Sequence, residues 1–367
     1  MGRWSRPGRR REDRNTGQSR YTDSYAKGLN YLLTDESDKA IRTFTELVQL
    51  DRDTVEIHIT LGNLFRSKGE VDRAIKIHQN LLARPNLTRS QRNMAISELA
   101  NDYLKAGLHD RAEKLYREMT QLKVDDLMAY QHLLELYIAE KSWQEACECA
   151  QILYDRGEAD AGLILSQCHC EIAQSALHSS NKKLARTNLN KALEIHPGCV
   201  RAGLLLIDLY LRSDDYTAAR KMLQRLIKQN PEYMVLYIEP ARSIYLHGKE
   251  STVYQNFLQH QYQVNPSNRL AIALLEHYAS NNQIEKAREF LGEILKRSPS
   301  FDAFDFALRF LKSDPGQLSE TWDSLSEFLK NMQSKKIEYI CSNCGYGSHV
   351  IQWNCPSCRS WSSMKAV

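Results

Sequence analysis

A short element recurs through most of the chain at a nearly constant interval. Asp38-Lys39-Ala40, Asp72-Arg73-Ala74, Asp110-Arg111-Ala112 and Gln144-Glu145-Ala146 are its first four copies. Ala185, Ala219 and Ala287 continue the series, with Tyr254 in the slot between the last two. The separations between successive anchors are 34, 38, 34, 39, 34, 35 and 33 residues. This period constrains the fold more than any composition does. A unit of about 34 residues cannot bury an apolar face alone, so it must stack on its neighbours.

Other positions keep the same register. Gly28 and Gly62 lie twelve residues before the first two anchors. Tyr31, Phe65, Tyr103, Tyr137, Tyr210 and Tyr278 lie nine before theirs. Four residues after come Phe44 and Tyr116, or Leu223 and Leu291. Pro197, Pro231, Pro266 and Pro299 close repeats, where a helix cannot continue. Small residues let two helices cross closely, and the aromatics fill the next turn. These are the period and slots of the tetratricopeptide repeat, a helix–turn–helix unit. The expected fold is therefore all-α: a tetratricopeptide (TPR) superhelical solenoid of about eight to nine repeats over residues 21–332. Its concave face, lined by the first helix of each repeat, is expected to bind peptides or other proteins rather than to act only as a spacer.

The period stops near Lys330, and Met332 to Lys336 reads as a hinge. Ile337 to Ile340 reads as a strand leading into Cys341. Four cysteines follow as C-x2-C-x10-C-x2-C: Cys341, Cys344, Cys355 and Cys358. Each pair suits a knuckle, a tight turn aiming two thiolates at one cation. Gly345 can take the positive φ such a turn favours, and Pro356 stiffens the second turn. Four sulfurs close a tetrahedral site with no open position for substrate. Some 30 residues bury little core, so the metal supplies folding energy. Residues 337–367 are thus expected to form a small rubredoxin-like or zinc-ribbon metal-binding domain with four cysteine ligands. Tyr339, Tyr346, Trp353 and Trp361 are expected to wrap the site and dock it on the last repeat. A four-sulfur tetrahedron suits zinc and iron equally in geometry.

The other five cysteines lie between Cys147 and Cys199. Cys147-Glu-Cys149 and Cys168-His-Cys170 fall on helical stretches. Side chains two apart on a helix diverge by about 200°, so neither pair chelates alone and both read as core. With no secretory signal at the start, a reducing compartment is expected, and paired cysteines read as ligands rather than disulfides. The chain holds no H-E-x-x-H, G-x-S-x-G or phosphate-binding glycine loop. No catalytic constellation is expected.

The formal charge is +4, but residues 1–20 hold seven arginines and two acids, a net of +5. The remainder sums to −1, which argues against a nucleic-acid-binding body. Arg3, Arg6, Arg9, Arg10, Arg11, Arg14 and Arg20 read as a solvated disordered end, a nucleic-acid contact or a cytoplasmic juxtamembrane segment. The longest apolar runs, such as Ala202 to Ile207, are six residues, far short of a bilayer span of about 20.

A repeat array ending in a four-cysteine tetrad resembles the lipopolysaccharide assembly protein B (LapB) family of Gram-negative bacteria. The match is carried by Leu61-Gly62-Asn63-Leu64-Phe65-Arg66-Ser67-Lys68-Gly69-Glu70-Val71-Asp72-Arg73-Ala74-Ile75, by His78-Gln79, and by Asp110-Arg111-Ala112-Glu113. In the tail it is carried by Tyr339, Cys341, Cys344-Gly345, Trp353, Cys355-Pro356-Ser357-Cys358 and Trp361-Ser362. The resemblance covers nearly the whole chain. It implies a non-catalytic adaptor on the cytoplasmic face of the inner membrane. Such proteins promote degradation of LpxC by the membrane protease FtsH and so balance lipopolysaccharide against phospholipid synthesis. Expected partners are FtsH and LpxC, or inner-membrane proteins that regulate LpxC. The resemblance maps the metal ligands onto the four tail cysteines, with iron the expected ion and zinc the alternative. The family opens with a transmembrane helix and then a basic stretch. This chain opens on the basic stretch, which reads as a start assigned too far downstream, a truncated form or peripheral recruitment; the resemblance then implies that its arginines are the cytoplasmic flank. A second departure is shared with the family: Arg359 occupies the place of the glycine found in ordinary rubredoxins, which predicts a less regular second knuckle. Electron transfer by an iron tetrad is the competing functional class.

Overall fold

A computed structural model of the chain describes residues 24–31, 33–34, 36–50, 54–121, 127–247, 250–297, 300–311 and 337–366. The basic tail, the hinge and residues 312–336 at the end of the expected array lie outside the described residues. The described residues fall into two compact units that divide between Arg156 and Gly157. In the first, a helical segment (24–31) precedes α1 (Ser37–Leu50), α2 (Val55–Ser67), α3 (Val71–Leu82), α4 (Arg89–Lys105), α5 (His109–Gln121), α6 (Leu127–Glu140) and α7 (Trp143–Asp155). The second holds α8 (Ala161–His178), α9 (Lys182–Ile195), α10 (Val200–Leu211), α11 (Tyr216–Gln229) and a 3-10 turn (Pro231–Tyr233). It continues with α12 (Met234–His247), α13 (Ser251–Val264), α14 (Asn268–Ser280), α15 (Ile284–Arg297) and α16 (Phe301–Leu311). Within each unit successive helices pack in antiparallel pairs, and the architecture is that of tetratricopeptide repeats.

The repeat register is visible in burial. On α3, Ala74, His78 and Leu81 are buried; on α5, Ala112, Tyr116 and Met119. On α11 they are Ala219, Leu223 and Leu226, and on α15 Ala287, Leu291 and Ile294. Every set is the anchor, anchor +4 and anchor +7, one stripe of a 3.6-residue helix. All seven anchor alanines have no exposed surface. A larger side chain there would push the paired helices apart. Gly62 meets the same limit, since a Cβ on it would lie 2.3 Å from His78 Nε2.

The turns between paired helices share one backbone device. The residue five before the anchor is left-handed in Gly69, Gly107, Lys141, Ser180, Asp214 and Asn282. In each case the next amide donates back to the carbonyl nine before the anchor, as from Glu70 to Phe65 (2.9 Å) and Asp215 to Tyr210 (2.9 Å). This closes the first helix with a 6→1 bond and starts the second.

Residues 337–366 form a three-stranded antiparallel sheet of order β2-β1-β3 with two loops. Its strands are β1 (Tyr339–Cys341), β2 (Gly347–Ser348) and β3 (Met364–Ala366). Tyr339 pairs with Ser348 on one side and Ala366 on the other, and Cys341 with Met364. None of the described helices is long and apolar enough to cross a membrane.

Candidate metal centre

Two knuckles built on one plan bring the cysteines together. In the first, the Cys341 carbonyl accepts from Gly345 N–H (2.9 Å) and Cys341 N–H donates to the Tyr346 carbonyl (2.9 Å). In the second, the Cys355 carbonyl accepts from Arg359 N–H (2.8 Å) and Cys355 N–H donates to the Ser360 carbonyl (2.9 Å). Gly345 and Arg359 occupy the same position, at φ +75° and +59°. The expected irregularity at Arg359 is therefore absent. The second knuckle keeps the same bonds and carries instead the steric cost of a non-glycine residue in the left-handed region. Asn354 Nδ2 supports this turn by donating to the Arg359 carbonyl at 3.0 Å.

Cys341 Sγ and Cys358 Sγ lie 3.7 Å apart, as do Cys344 Sγ and Cys355 Sγ. All four sulfurs fall within 4.8 Å of one another. A disulfide needs about 2.05 Å. A tetrahedron with metal–sulfur bonds of about 2.3 Å has edges of about 3.8 Å. The spacing fits a cation at the centre, and the donors are four soft sulfurs, so this is a four-cysteine metal-binding site. Ser363 Oγ is 3.2 Å from Cys341 Sγ and lowers its thiol pKa. The hydroxyl of Ser360 pulls Cys358 down to about 5, whereas burial pushes Cys355 up to about 11. The two hydroxyls thus favour thiolates on one side, while the buried Cys355 needs a cation's charge to ionise. Neither serine was singled out from the sequence. Aligning the two knuckles, which puts Ser360 opposite Tyr346, is the signal that finds Ser360.

The knob docks on the middle of the second unit. Trp353 and Ile351 pack on a core that includes Tyr233, Met234 and Tyr237, and Leu236 reaches the cluster of Tyr339, Cys341, Cys355 and Met364. Gln167 on α8 donates to Ser362 Oγ at 3.2 Å, and Tyr233 OH donates to the Ser362 carbonyl at 3.2 Å. Lys365 pairs with Glu232 at 3.4 Å, and Arg269 on α14 with Glu338. The expectation of docking on the last repeat is corrected: the main seat is the Pro231–Leu236 segment. Tyr346, expected to wrap the site, is exposed. Cys147, Cys149, Cys168, Cys170 and Cys199 are buried and form no disulfide, as the core reading requires.

The comparisons with known proteins follow the same division. The rubredoxin metal binding domain family matches residues 339–366. Tetratricopeptide repeat families match residues 58–91 and 179–235, and a PPR repeat family matches residues 99–124. Lipopolysaccharide assembly protein B of Escherichia coli strain K12 is 32% identical over 371 residues, covering 100% of this chain and 94% of that protein. The protein of the same name from Haemophilus influenzae is 33% identical over 367 residues, covering 97% and 92%. Among solved structures, YrrB, a TPR protein with an unusual peptide-binding site, aligns at 17% identity with a TM-score of 0.35, over 56% of this chain and 97% of that one.

Proposed function

The chain belongs to the lipopolysaccharide assembly protein B family, and from that premise we propose that it is a non-catalytic regulator of lipopolysaccharide biosynthesis. In this reading the protein is an adaptor. It promotes FtsH-dependent proteolysis of LpxC and so balances lipopolysaccharide and phospholipid synthesis. The body works on the cytoplasmic side of the inner membrane, with the basic residues 1–20 toward the anionic lipid surface. Cys341, Cys344, Cys355 and Cys358 hold one ion, iron in the first instance and zinc as the alternative. The ion closes the two knuckles and supplies folding energy to the knob. The observation that carries the reading is the likeness over the whole chain, array and tetrad together. The Gln167, Tyr233 and Glu232 contacts support treating the two as one working surface.

The test is LpxC half-life in the source organism after depletion of this protein, with the chain resupplied from a plasmid. Stabilised LpxC that resupply reverses supports the adaptor. Unchanged turnover on depletion refutes it. The double variant Cys341→Ser, Cys344→Ser is expected to lose metal and to slow LpxC turnover. A second reading, electron transfer by an iron tetrad, rests on the exposure of Cys344 at the edge of the site. Stoichiometric zinc in protein from native cells would sink it.

A further inference from the structure

Two thiols outside the tetrad meet beneath the seat of the metal knob. Cys170 on α8 and Cys199, the N-cap residue of α10, place their sulfurs 3.8 Å apart. They come from different helices, 29 residues apart in the chain, so helical divergence does not separate them as it separates each C-x-C pair. Among the described residues the tail tetrad is the only cluster of three or more metal-binding side chains, so this pair is no second metal centre.

The pair is chemically asymmetric. The hydrogen bond from Cys170 holds the Cys199 thiol below its ordinary pKa, and the Ala202 amide, the Ser166 hydroxyl and the Arg201 charge act in the same direction against burial. The same bond and burial push Cys170 up. Cys199 is therefore the nucleophile and Cys170 the protonated partner, the division of labour of a redox-active dithiol. The pair also touches the docking contacts. Gln167 Nε2 is shared between Cys199 Sγ (3.5 Å) and Ser362 Oγ of the knob (3.2 Å). Gln167 Oε1 accepts from Arg201 Nη1 at 3.5 Å, and Arg201 is anchored to Glu171 (2.9 Å) and Gln174 (2.7 Å).

We propose that Cys170 and Cys199 close a disulfide when a hydroperoxide reaches Cys199, and that closure loosens the seat of the metal knob. Cys199 is 2% exposed, so large thiol reagents are excluded. Hydrogen peroxide is little larger than water. It enters when the first turn of α10 opens beside exposed Pro197, and openings of a helix end cost far less than global unfolding. The Cys199 thiolate attacks one peroxide oxygen. The O–O bond breaks, the other oxygen leaves as hydroxide and takes a proton from solvent, and Cys199 becomes a sulfenic acid. Cys170 sulfur then attacks Cys199 sulfur, the S–O bond breaks, and the departing hydroxide takes the Cys170 proton as water. The thiols lose two electrons in all, and the peroxide gains them. An uncharged disulfide sulfur is a weaker acceptor than a thiolate, so Gln167 loses its hold on Cys199 and keeps Ser362 less firmly in place. The inference goes beyond the adaptor reading and holds whatever the array binds.

The test exposes the metal-loaded full chain to hydrogen peroxide and maps its peptides by mass spectrometry without reduction. The expected product is a peptide pair joined through Cys170 and Cys199, which dithiothreitol separates. Cys168→Ala should keep that product. Cys170→Ala should lack it and stop at a Cys199 sulfenic acid, which dimedone traps; Cys199→Ser should lack both. Hydrogen exchange in residues 339–366 is measured in parallel. It should rise about fivefold in the oxidised wild type, the effect of one lost hydrogen bond, and return with dithiothreitol. Peroxide-treated Cys170→Ala carries the same tetrad and should show no such rise, which separates the pair from damage to the metal site. Absence of the Cys170–Cys199 product overturns the proposal. So does a disulfide that leaves exchange in the knob unchanged, or an equal rise in Cys170→Ala.

Discussion

Replacing Arg359 by glycine should strengthen the metal knob. Arg359 sits at φ +59°, in the slot that Gly345 fills at +75°. A side chain in the left-handed region costs about 1–2 kcal/mol. Glycine returns about 0.5–1 kcal/mol of that through the greater freedom of the unfolded chain. The net expected gain is about 0.5–1 kcal/mol. Among the described residues nothing offsets it, because the Arg359 side chain is exposed and the bonds in which the residue takes part use its backbone amide and carbonyl. In a domain whose metal binding is its folding, the gain appears as metal affinity. Arg359→Gly should hold its ion about two- to fivefold more tightly in competition with a chromophoric chelator. The reciprocal change, Gly345→Ala, meets no neighbouring atom within 4 Å, so its cost is conformational alone, about 1 kcal/mol, or roughly fivefold weaker retention. If Arg359→Gly releases metal as fast as the parent and Gly345→Ala is neutral, the left-handed slot carries no strain and the reasoning is wrong.

Three other perturbations have defined outcomes. Gly62→Ala puts a methyl group 2.3 Å from His78 Nε2, and the ring cannot retreat because Asp102 holds its other nitrogen at 2.6 Å. Chemical denaturation should show a loss of about 2 kcal/mol. Trp353→Ala with Tyr233→Phe removes the docked indole and the 3.2 Å bond to Ser362, so hydrogen exchange in residues 339–366 should rise while helical circular dichroism is kept. His277 is held below the ordinary imidazole pKa of 6.5 mainly by burial. The unfolded chain therefore binds the proton first, and stability is lost as pH falls through 6.5. The melting temperature should drop between pH 7.5 and 5.5, and His277→Gln should flatten that slope.

Local steric demands explain which features were readable in advance. The anchor alanines were legible because only a small residue fits where paired helices cross, and all of them are fully buried. The left-handed turn slot was only half legible. Gly69 and Gly107 advertise it, but Lys141 and Ser180 adopt it without any compositional cue. There the 6→1 bond between flanking helices outweighs the residue's own preference. The C-x-C pairs were legible as core because two side chains that diverge on a helix cannot share one cation.

The sequence by itself determined the repeat period, the buried stripe of each second helix and the set of four sulfurs. Each follows from interactions between residues close in the chain, where spacing fixes geometry. Only the tertiary structure decided that the tetrad rests on Pro231–Leu236, more than 100 residues upstream, and that Arg359 copies the turn of Gly345. Docking depends on how Trp353, Ile351 and Ser362 fit against Tyr233, Leu236 and Gln167. That fit is a match of surfaces which no repeat period encodes, since a period specifies contacts between neighbours and says nothing of a chain that folds back.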